Sequence, residues 1–337
     1  MLGFVRLFVV TWFVWLFDPS LLASPATKVE APNNEFLREC LSKEFPEIPS
    51  GLERFLANMS DGNRNVIVTV GTHAANWIVL NMLLSFASIN PTHPGVAVLS
   101  LDKPLCEFLE SKGYSCFEYN HGISQYTEEV SKYQKRGVYL QVMQRKQELV
   151  LIGLALGYNL LVVDTDVVFL QDFFSAFEHF LNYEVVSQSI SCSKGKGCSG
   201  VCGGFFYVRS VAKTCHWTRR SLKHLGDGKF HQDALQMSLK DAGLEQVLSI
   251  PFQKIPFLDQ YAYNCTIDVI EGGVVAVHAS TIGPCKKAHN WHRQERTIRG
   301  KIRRMKEVNL WWVPETRGEV LTAGIKNAEL EDNHSML

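Results

Sequence analysis

The sequence predicts an α/β fold in which a doubly wound sheet is covered by helices. Short apolar runs alternate along the chain with longer segments of helical periodicity, an order that is typical of strands joined by helical crossovers. One run, residues 159–163, is apolar almost throughout, as expected for a central parallel strand that is buried on both faces. Of the 337 residues, 46% are hydrophobic and 20% are charged, which is the profile of a folded globular protein.

The predicted elements alternate between residues 65 and 278. Strands are expected at residues 65–72, 95–101, 114–119, 159–163, 184–188, 204–208 and 274–278. Helices are expected at residues 77–89, 103–112, 138–156, 211–224 and 231–242. Gly157 is expected to end the helix that precedes the central strand. Because ligands of such sheets bind beyond the carboxyl ends of the strands, the residues after each strand are the first candidates for a site.

The charge of the chain excludes one class of function. The 34 Lys and Arg residues balance 34 Asp and Glu residues, whereas nucleic-acid-binding domains usually carry a basic excess. We therefore expect no nucleic acid partner. The chain also has no repeat of fixed period, which argues against a solenoid or a propeller.

Residues 1–23 are expected to be a signal peptide or a short type II anchor. The run from Leu2 to Phe17 is apolar apart from Arg6 and Thr11, but its uninterrupted part is shorter than the roughly 20 residues of a membrane-spanning helix. Both alternatives place the remainder of the chain in the lumen of the secretory pathway. The Golgi is the expected location, with secretion as the alternative if the segment is cleaved. Any membrane attachment is expected through this segment alone.

Composition also indicates where the folded part lies. Residues 24–62 are rich in Pro, Asn, Ser and Glu and are expected to be a stem. The main domain is predicted at residues 63–316, followed by a polar C-terminal tail at 317–337.

Glycosylation sequons and cysteines agree with a lumenal location. Sequons begin at Asn58, Asn264 and Asn333. Nine cysteines are present, and some should pair in an oxidising lumen, although the sequence does not give their connectivity. Three of them, Cys192, Cys198 and Cys202, lie in one loop that lacks the paired C-x-x-C spacing of a zinc site. We expect at least one disulfide in that loop rather than a zinc ion.

Two carboxylates, Asp164 and Asp166, follow the central strand. Burying such groups is costly unless they are paired or bound to a metal. Carboxylate oxygens suit Mg²⁺ or Mn²⁺, and a diphosphate supplies further oxygens. The competing interpretation is a polar turn in which Asp166 caps the next helix. The apolar strand before this D-T-D motif and the apolar run 167–170 after it favour the metal site.

Four stretches resemble the nucleotide-diphospho-sugar transferase family. Residues 156–170 (LGYNLLVVDTDVVFL) are similar to the family's LGYNVL…DVDVVW core. Three further stretches match in the same order, and together the similarity covers roughly residues 65–295. They are Gly203–Ser210, which resembles N-x-G-F-F-Y-x-R-S/P; His231–Leu235, which resembles DQDALN; and His278–Ser280 with Gly283 and Lys286, which resembles H-A-N…G…K.

The resemblance implies the GT-A fold, a doubly wound mixed sheet flanked by helices in a single catalytic domain, as in plant and algal cell-wall xylosyl- and arabinosyltransferases. It implies an enzyme that transfers a sugar from a nucleotide-diphosphate sugar, such as a UDP-sugar, to a hydroxyl of a glycan or glycoprotein, with retention of configuration. The implied cofactor is Mn²⁺ or Mg²⁺. The alternative is a non-catalytic carbohydrate-binding or scaffolding protein of the secretory pathway, which would leave the intact D-T-D motif unexplained.

The chain departs from the family pattern at several positions. Cys202 or Gly203 replaces the Asn before the G-F-F strand, His231 replaces the first Asp of D-Q-D, and Ser280 replaces the late Asn. The loop from Cys192 to Cys202 looks like an addition. These changes bear on acceptor specificity and, at His231, on a metal or acceptor contact.

The resemblance also assigns roles to residues of this chain. Asp164, Asp166 and His278 are the expected metal ligands, and Asp164 is also expected to contact the donor's ribose. Asp233 is expected to orient the acceptor hydroxyl, and Lys286 to neutralise the leaving diphosphate. The alternatives are a buried strand-end His278, and an Asp233 that only complements a helix N-terminus.

Three basic residues could be ordinary surface charges instead of parts of a site. Lys286 opens a stretch, residues 286–306, with nine Lys or Arg and one Glu, which would also fit an exposed helix or a surface near an anionic membrane. Arg145 and Lys146 lie on the helix before the central strand and are candidates to contact the nucleotide. On a helix surface they would instead be solvated charges.

Overall fold

The computed structural model describes residues 40, 48–119, 136–193, 197–244, 247–251, 254–256, 273–279 and 298–314. Its strands are β1 (Asn65–Gly71), β2 (Val96–Ser100), β3 (Cys116–Glu118), β4 (Asn159–Val163), β5 (Val167–Phe169), β6 (Val185–Gln188), β7 (Ser191–Ser193), β8 (Gly197–Ser199), β9 (Phe205–Val208), β10 (Val247–Ile250) and β11 (Ala276–His278). Its helices are α1 (Leu52–Met59), α2 (Asn76–Ile89), α3 (Lys103–Ser111), α4 (Arg136–Ala155), α5 (Phe173–Ala176), α6 (Ala212–Gly226), α7 (His231–Asp241) and α8 (Ile298–Glu307). Each predicted strand and helix is present, with ends that differ by a few residues.

Seven strands form one mixed sheet in the order β10-β6-β9-β4-β1-β2-β3. Strands β4, β1, β2 and β3 are parallel to one another, and β10 is parallel to β6. Strand β9 runs antiparallel to both of its neighbours, β4 and β6. The predicted mixed sheet is thus confirmed, and the reversal at β9 places the start of β9 beside the end of β4.

Helices cover both faces of the sheet, and each face has its own apolar core. On one face Leu160 and Phe206 belong to a core shared with α1, α4, α6 and α7. On the other face Leu161 and Phe205 belong to a core shared with α2, α3 and α5. Neighbouring residues of a strand point to opposite faces, so β4 and β9 contribute to both cores and are buried throughout. This arrangement confirms the doubly wound fold.

The folded domain begins before residue 63, within the segment expected to be a stem. Helix α1 spaces its apolar residues so that Leu52, Leu56 and Met59 share one face, and all three are buried. Leu52 and Leu56 join the core that contains Val66 of β1. Composition alone misassigned this helix because its other face is polar. The remaining predicted boundaries fall largely on residues outside the described part of the chain.

Two disulfides confirm that some of the cysteines pair. One joins Cys40 to Cys215 of α6, which are 175 residues apart. The other joins Cys106 of α3 to Cys116 of β3. Cys202 is a free thiol and is buried.

Helix α8 packs beside the small antiparallel sheet formed by β5 and β11. Met305 and Leu310 share an apolar cluster with Val168 and Val277. Asn81 of α2 fixes the chain after the helix, because its Nδ2 donates to the Leu310 carbonyl at 3.0 Å and its Oδ1 accepts from the Trp312 N–H. This part of the basic stretch is therefore a packed helix.

None of the helices in the described ranges has the length and apolar character needed to cross a bilayer. The apolar run 2–17 lies outside those ranges, so its assignment as a signal peptide or an anchor stays a prediction.

Candidate active site

The sheet brings the two carboxylates and the late histidine to one place. Asp164 directly follows β4, and its N–H donates to the Gly204 carbonyl at the start of β9, at 2.8 Å. Asp166 immediately precedes β5. Strand β11 pairs antiparallel with β5, so that His278 faces Val167, and the N–H of Ala279 donates to the Asp166 carbonyl at 2.9 Å. Residues more than 100 positions apart therefore meet at the edge where β4 ends.

The geometry of these three side chains fits a divalent cation. One ligand atom from each of Asp164, Asp166 and His278 lies within 4.8 Å of the others. Nε2 of His278 is 3.5 Å from Oδ2 of Asp164 and 3.4 Å from Oδ1 of Asp166. Two ligands that are each about 2.0–2.6 Å from one cation lie about 3–4 Å from each other. Two carboxylate oxygens and one imidazole nitrogen form a donor set that can hold a divalent cation, and the two oxygens are the ligands that Mn²⁺ and Mg²⁺ prefer.

The two carboxylates differ in exposure. The side chain of Asp164 is 40% exposed, whereas that of Asp166 is 8% exposed. Asp164 therefore presents an oxygen to solvent and to any ligand that enters from there. Asp166 and His278 line the buried side of the cluster.

A glycine makes this close approach possible. A Cβ atom on Gly204 would lie 2.4 Å from Oδ2 of Asp164 and 2.4 Å from Cε1 of His278. Such distances are shorter than any van der Waals contact, so a larger residue would push both side chains away. Gly204, the glycine of the G-F-F strand, therefore leaves the space that the side chains of Asp164 and His278 occupy.

Each carboxylate is paired with a lysine. Lys146 of α4 is only 2% exposed, and its Nζ donates to Oδ1 of Asp164 at 2.6 Å and to the Gly203 carbonyl at 2.8 Å. Lys301 of α8 forms an ion pair with Oδ2 of Asp166. Lys146 is thus a buried partner of Asp164 and not a solvated helix charge.

These partners set the protonation of the cluster. Burial alone would raise the pKa of Asp164, but the Lys146 ammonium and the His278 imidazole hold that pKa well below its usual range. Burial alone would likewise raise the pKa of Asp166, but Lys301 and then His278 hold it low. Burial alone would lower the pKa of His278, yet Cys202 and the two carboxylates raise it well above its ordinary value. Both carboxylates are therefore ionised at neutral pH and able to bind a cation.

A glutamine holds the other ring nitrogen of His278. Oε1 of Gln188, the last residue of β6, lies 2.9 Å from Nδ1 of His278. The amide nitrogen of Gln188 donates to the Ile255 carbonyl at 2.8 Å, which fixes the orientation of the amide. The Cys202 sulfur lies 3.7 Å from the same Nδ1. Because the amide oxygen can only accept, Nδ1 carries a proton and Nε2 is the atom that faces the carboxylates.

His231, the departure from the D-Q-D pattern, lies behind the site. It is buried, its Nε2 lies 2.7 Å from the Gln147 amide nitrogen, and its ring packs on Gly203. Burial, followed by the nearby Lys146 ammonium, lowers the pKa of His231 to about 3. The ring is therefore neutral. It does not belong to the group of metal-ligating side chains found among the described residues.

Of the remaining predicted residues, Asp233 and Arg145 lie within the described part of the chain. Asp233 is exposed in the first turn of α7, and Arg145 pairs with Glu148 at 2.6 Å. Lys286 lies outside the described residues. Sequence reasoning missed Gln188 and Lys301. Gln188 could have been predicted, because it is the last residue of a predicted strand and ligands bind near such strand ends. Lys301 could not, because it is one of nine basic residues between positions 286 and 306 and the sequence does not distinguish it from the others.

Several solved structures are similar to the chain at low identity. Glycosyltransferase GlyE of Streptococcus pneumoniae TIGR4 matches with 14% identity and a TM-score of 0.42, over 75% of this chain and 66% of GlyE. The apo form of mouse xyloside xylosyltransferase 1 matches with 10% identity and a TM-score of 0.38, over 66% of this chain and 99% of that protein. The chain thus spans just under two thirds of the length of GlyE. A search of curated proteins finds no match.

A family model gives the assignment. The model described as nucleotide-diphospho-sugar transferase matches residues 92–293. This range contains β4, the D-T-D motif, β9 and β11, and so every ligand of the candidate metal site. Because the match extends over more than half of the chain, the protein belongs to the nucleotide-diphospho-sugar transferase family.

Proposed function

We propose that this protein is a metal-dependent glycosyltransferase that moves a sugar from a nucleotide-diphosphate sugar to a hydroxyl of a glycan or glycoprotein. The observation that carries the proposal is the convergence of Asp164, Asp166 and His278 at the end of β4. Strand ends of this kind are where ligands of doubly wound sheets bind. The family supports a sugar nucleotide as the donor.

Each residue of the cluster has a proposed role. Asp166 and His278 would hold the cation with their buried side chains, and the more exposed Asp164 would hold it as well and contact the donor's ribose. Lys146 fixes Asp164 through a 2.6 Å ion pair. When bound, the cation stabilises the negative charge that develops on the diphosphate.

The proposed transfer retains the configuration of the sugar. The bond between the anomeric carbon and the diphosphate oxygen breaks, and the acceptor hydroxyl forms the new bond on the same face. The departing diphosphate oxygen accepts the hydroxyl proton, so that atoms and charge balance. Asp233 is the proposed residue that orients the acceptor, and Lys286 is proposed to neutralise the leaving group. This stereochemistry follows the family resemblance.

The proposed location is the lumen of the secretory pathway, most specifically the Golgi. The disulfides Cys40–Cys215 and Cys106–Cys116 support an oxidising compartment. The sequon at Asn58 lies in α1, and residues 1–23 would supply the signal or the anchor.

A donor screen tests the proposed function. Purified protein is incubated with a panel of UDP- and GDP-sugars, with Mn²⁺ or with EDTA, and release of the nucleoside diphosphate is measured. We expect one donor to be turned over with Mn²⁺ and not with EDTA. The Asp166→Asn variant should lose this activity, whereas Asp227→Asn, which removes an exposed carboxylate at the end of α6, should keep it. Full turnover in EDTA would contradict metal dependence, and glycan binding without any turnover would support the scaffolding alternative.

A further inference from the structure

Lys301 is a basic residue of the cluster that comes from outside the matched family range. It lies on α8, beyond residue 293, and forms an ion pair with Asp166. Its side chain is 22% exposed, so Lys301 is partly accessible to solvent although it pairs with a buried carboxylate. The position of a lysine on a proposed metal ligand requires an explanation, because an ammonium and a metal cation compete for the same negative charge.

The packing of α8 makes this contact specific. Met305 and Leu310 pack on Val168 and Val277, which are close neighbours in sequence of the proposed ligands Asp166 and His278. The helix is therefore attached to the two strands that carry those ligands. Asn81 holds the segment after the helix through the Leu310 carbonyl and the Trp312 N–H. Lys301 is thus presented to the site by a packed helix, and its four-carbon side chain is long and flexible.

The two lysines of the cluster are not equivalent. Lys146 is 2% exposed and is bound both to Asp164 and to the Gly203 carbonyl, so moving it would leave a buried ammonium without a hydrogen bond. Lys301 is 22% exposed and lies on a different element. Lys146 is therefore suited to hold Asp164 permanently. Lys301 is suited to pair with Asp166 in one state and with a bound ligand in another.

A charge count indicates what Lys301 would bind. With His278 neutral, as a metal ligand must be, the two carboxylates and the two lysines sum to zero. A divalent cation raises that sum to about +2. The diphosphate of a sugar nucleotide carries about two negative charges and restores neutrality. Ammonium groups are common partners of phosphate oxygens.

We propose that Lys301 holds Asp166 while the cation is absent and binds the donor's diphosphate once the cation has taken its place on Asp166. The proposal rests on the proposed function and adds a diphosphate-binding residue to it. Its consequence is that the metal and the nucleotide bind cooperatively. The metal alone has to displace Lys301, whereas with a diphosphate present the displaced ammonium gains a new partner.

The test measures binding rather than turnover, with Mn²⁺ and UDP as probes and GDP as a second nucleotide. Mn²⁺ affinity is measured by electron paramagnetic resonance without nucleotide, and UDP affinity by calorimetry at saturating Mn²⁺. For Lys301→Met we expect tighter Mn²⁺ binding without nucleotide and weaker UDP binding with Mn²⁺. Each change should be about 5-fold or more, since couplings between two ligands usually fall at 5- to 150-fold.

Two further variants make the result specific. Lys301→Arg keeps the positive charge and should restore most of the coupling. Arg303→Met removes a charge from the same helix, where Arg303 pairs with Glu307, and should leave both affinities unchanged. Weaker binding of both probes by Lys301→Met, or no change in either, would overturn the proposal while leaving the metal site intact. A wild-type protein that binds neither Mn²⁺ nor a nucleotide would instead overturn the proposed function and this inference with it.

Discussion

Nδ1 of His278 donates a hydrogen bond to the amide oxygen of Gln188 at 2.9 Å, and this contact decides which ring nitrogen faces the carboxylates. Gln188 is itself fixed, because its amide nitrogen donates to the Ile255 carbonyl. When His278 loses one proton, the hydrogen bond keeps the proton on Nδ1, and the lone pair appears on Nε2. Partners of this kind orient metal-ligating histidines and tune their affinity.

Replacing Gln188 by Met is expected to weaken Mn²⁺ binding by about 10- to 100-fold. The thioether cannot accept the Nδ1 proton strongly, so the neutral ring is no longer held as one tautomer. Gln188→Glu keeps an acceptor and should retain most of the affinity. Mn²⁺ titration gives the affinity, and ¹⁵N NMR of the histidine ring gives the tautomer.

The control for this variant is Ser189→Ala. Ser189 is also buried, follows Gln188 directly, and donates to the Ile250 carbonyl. It should lose some stability without a change in the tautomer of His278. A Gln188→Met protein with wild-type Mn²⁺ affinity would show that Gln188 only fills space.

Asp166→Asn is expected to lower donor turnover by about 100- to 1,000-fold, or about 2.7–4 kcal/mol. The amide has the shape of the carboxylate but lacks the charge that holds the cation. Because the amide oxygen can still accept from Lys301, the fold should survive. Turnover at saturating Mn²⁺, together with a thermal melt, measures both effects. Equal turnover by the folded variant and the wild type would mean that the D-T-D motif is only a polar turn.

The buried neutral His231 is expected to make the protein sensitive to acid. Its pKa is lowered to about 3 in the folded state, against about 6.5 in the unfolded chain. Between these values the unfolded chain binds a proton that the folded protein does not, so the free energy of unfolding falls as the pH falls, by about 1.4 kcal/mol per pH unit. The melting temperature should therefore decrease from about pH 6.5 towards about pH 4.

Two variants isolate this effect. His231→Gln removes the titrating group and should flatten the decrease, whereas His73→Gln removes an exposed imidazole and should not. The lowered pKa values of Asp164 and Asp166 act in the same direction. Their stabilisation is complete above the unfolded carboxyl pKa and is lost only below about pH 4, so the chosen pH range excludes them. An unchanged slope in His231→Gln would assign the acid sensitivity to another group.

The sequence was sufficient to predict the sheet and to name the three candidate metal ligands, and insufficient to predict the hydrogen-bond and ion-pair partners of those side chains. Asp164 and Asp166 follow a strand whose apolar pattern is local and easily read, and His278 follows from the family motif. Lys301 reaches Asp166 because α8 packs beside β5, a contact between residues more than 100 positions apart that leaves no periodic signal. Helix α1 was hidden in the predicted stem by its polar outer face.

Within the segment from Cys192 to Cys202, a disulfide is expected between Cys192 and Cys198. These residues are partners in the antiparallel pair β7–β8, where facing Cα atoms lie about 4.5–5.5 Å apart, within the range that a disulfide bridges. Cys202 is a free buried thiol and should stay reduced. Peptide mapping without reduction checks both statements. A disulfide that contains Cys202, or bound zinc, would contradict this assignment.

Gly204→Ala is expected to damage the candidate metal site although it adds a single methyl group. The new Cβ would lie 2.4 Å from Oδ2 of Asp164 and from Cε1 of His278. Neither neighbour can move cheaply, because Lys146 holds Asp164 and Gln188 holds His278. We expect Mn²⁺ affinity to fall more than about tenfold and the free energy of unfolding to fall by about 1–3 kcal/mol.

The matched control for this variant is Gly226→Ala at the end of α6. A Cβ there meets no atom within 4 Å, so the substitution should leave Mn²⁺ binding unchanged and stabilise the protein by about 0.4–1 kcal/mol. Mn²⁺ titration and chemical denaturation compare the two variants. If Gly204→Ala binds Mn²⁺ as tightly as the wild type, the close approach of Asp164 and His278 at Gly204 is not needed for metal binding. In that case Asp164 and His278 would not both be ligands of the cation that Asp166 holds.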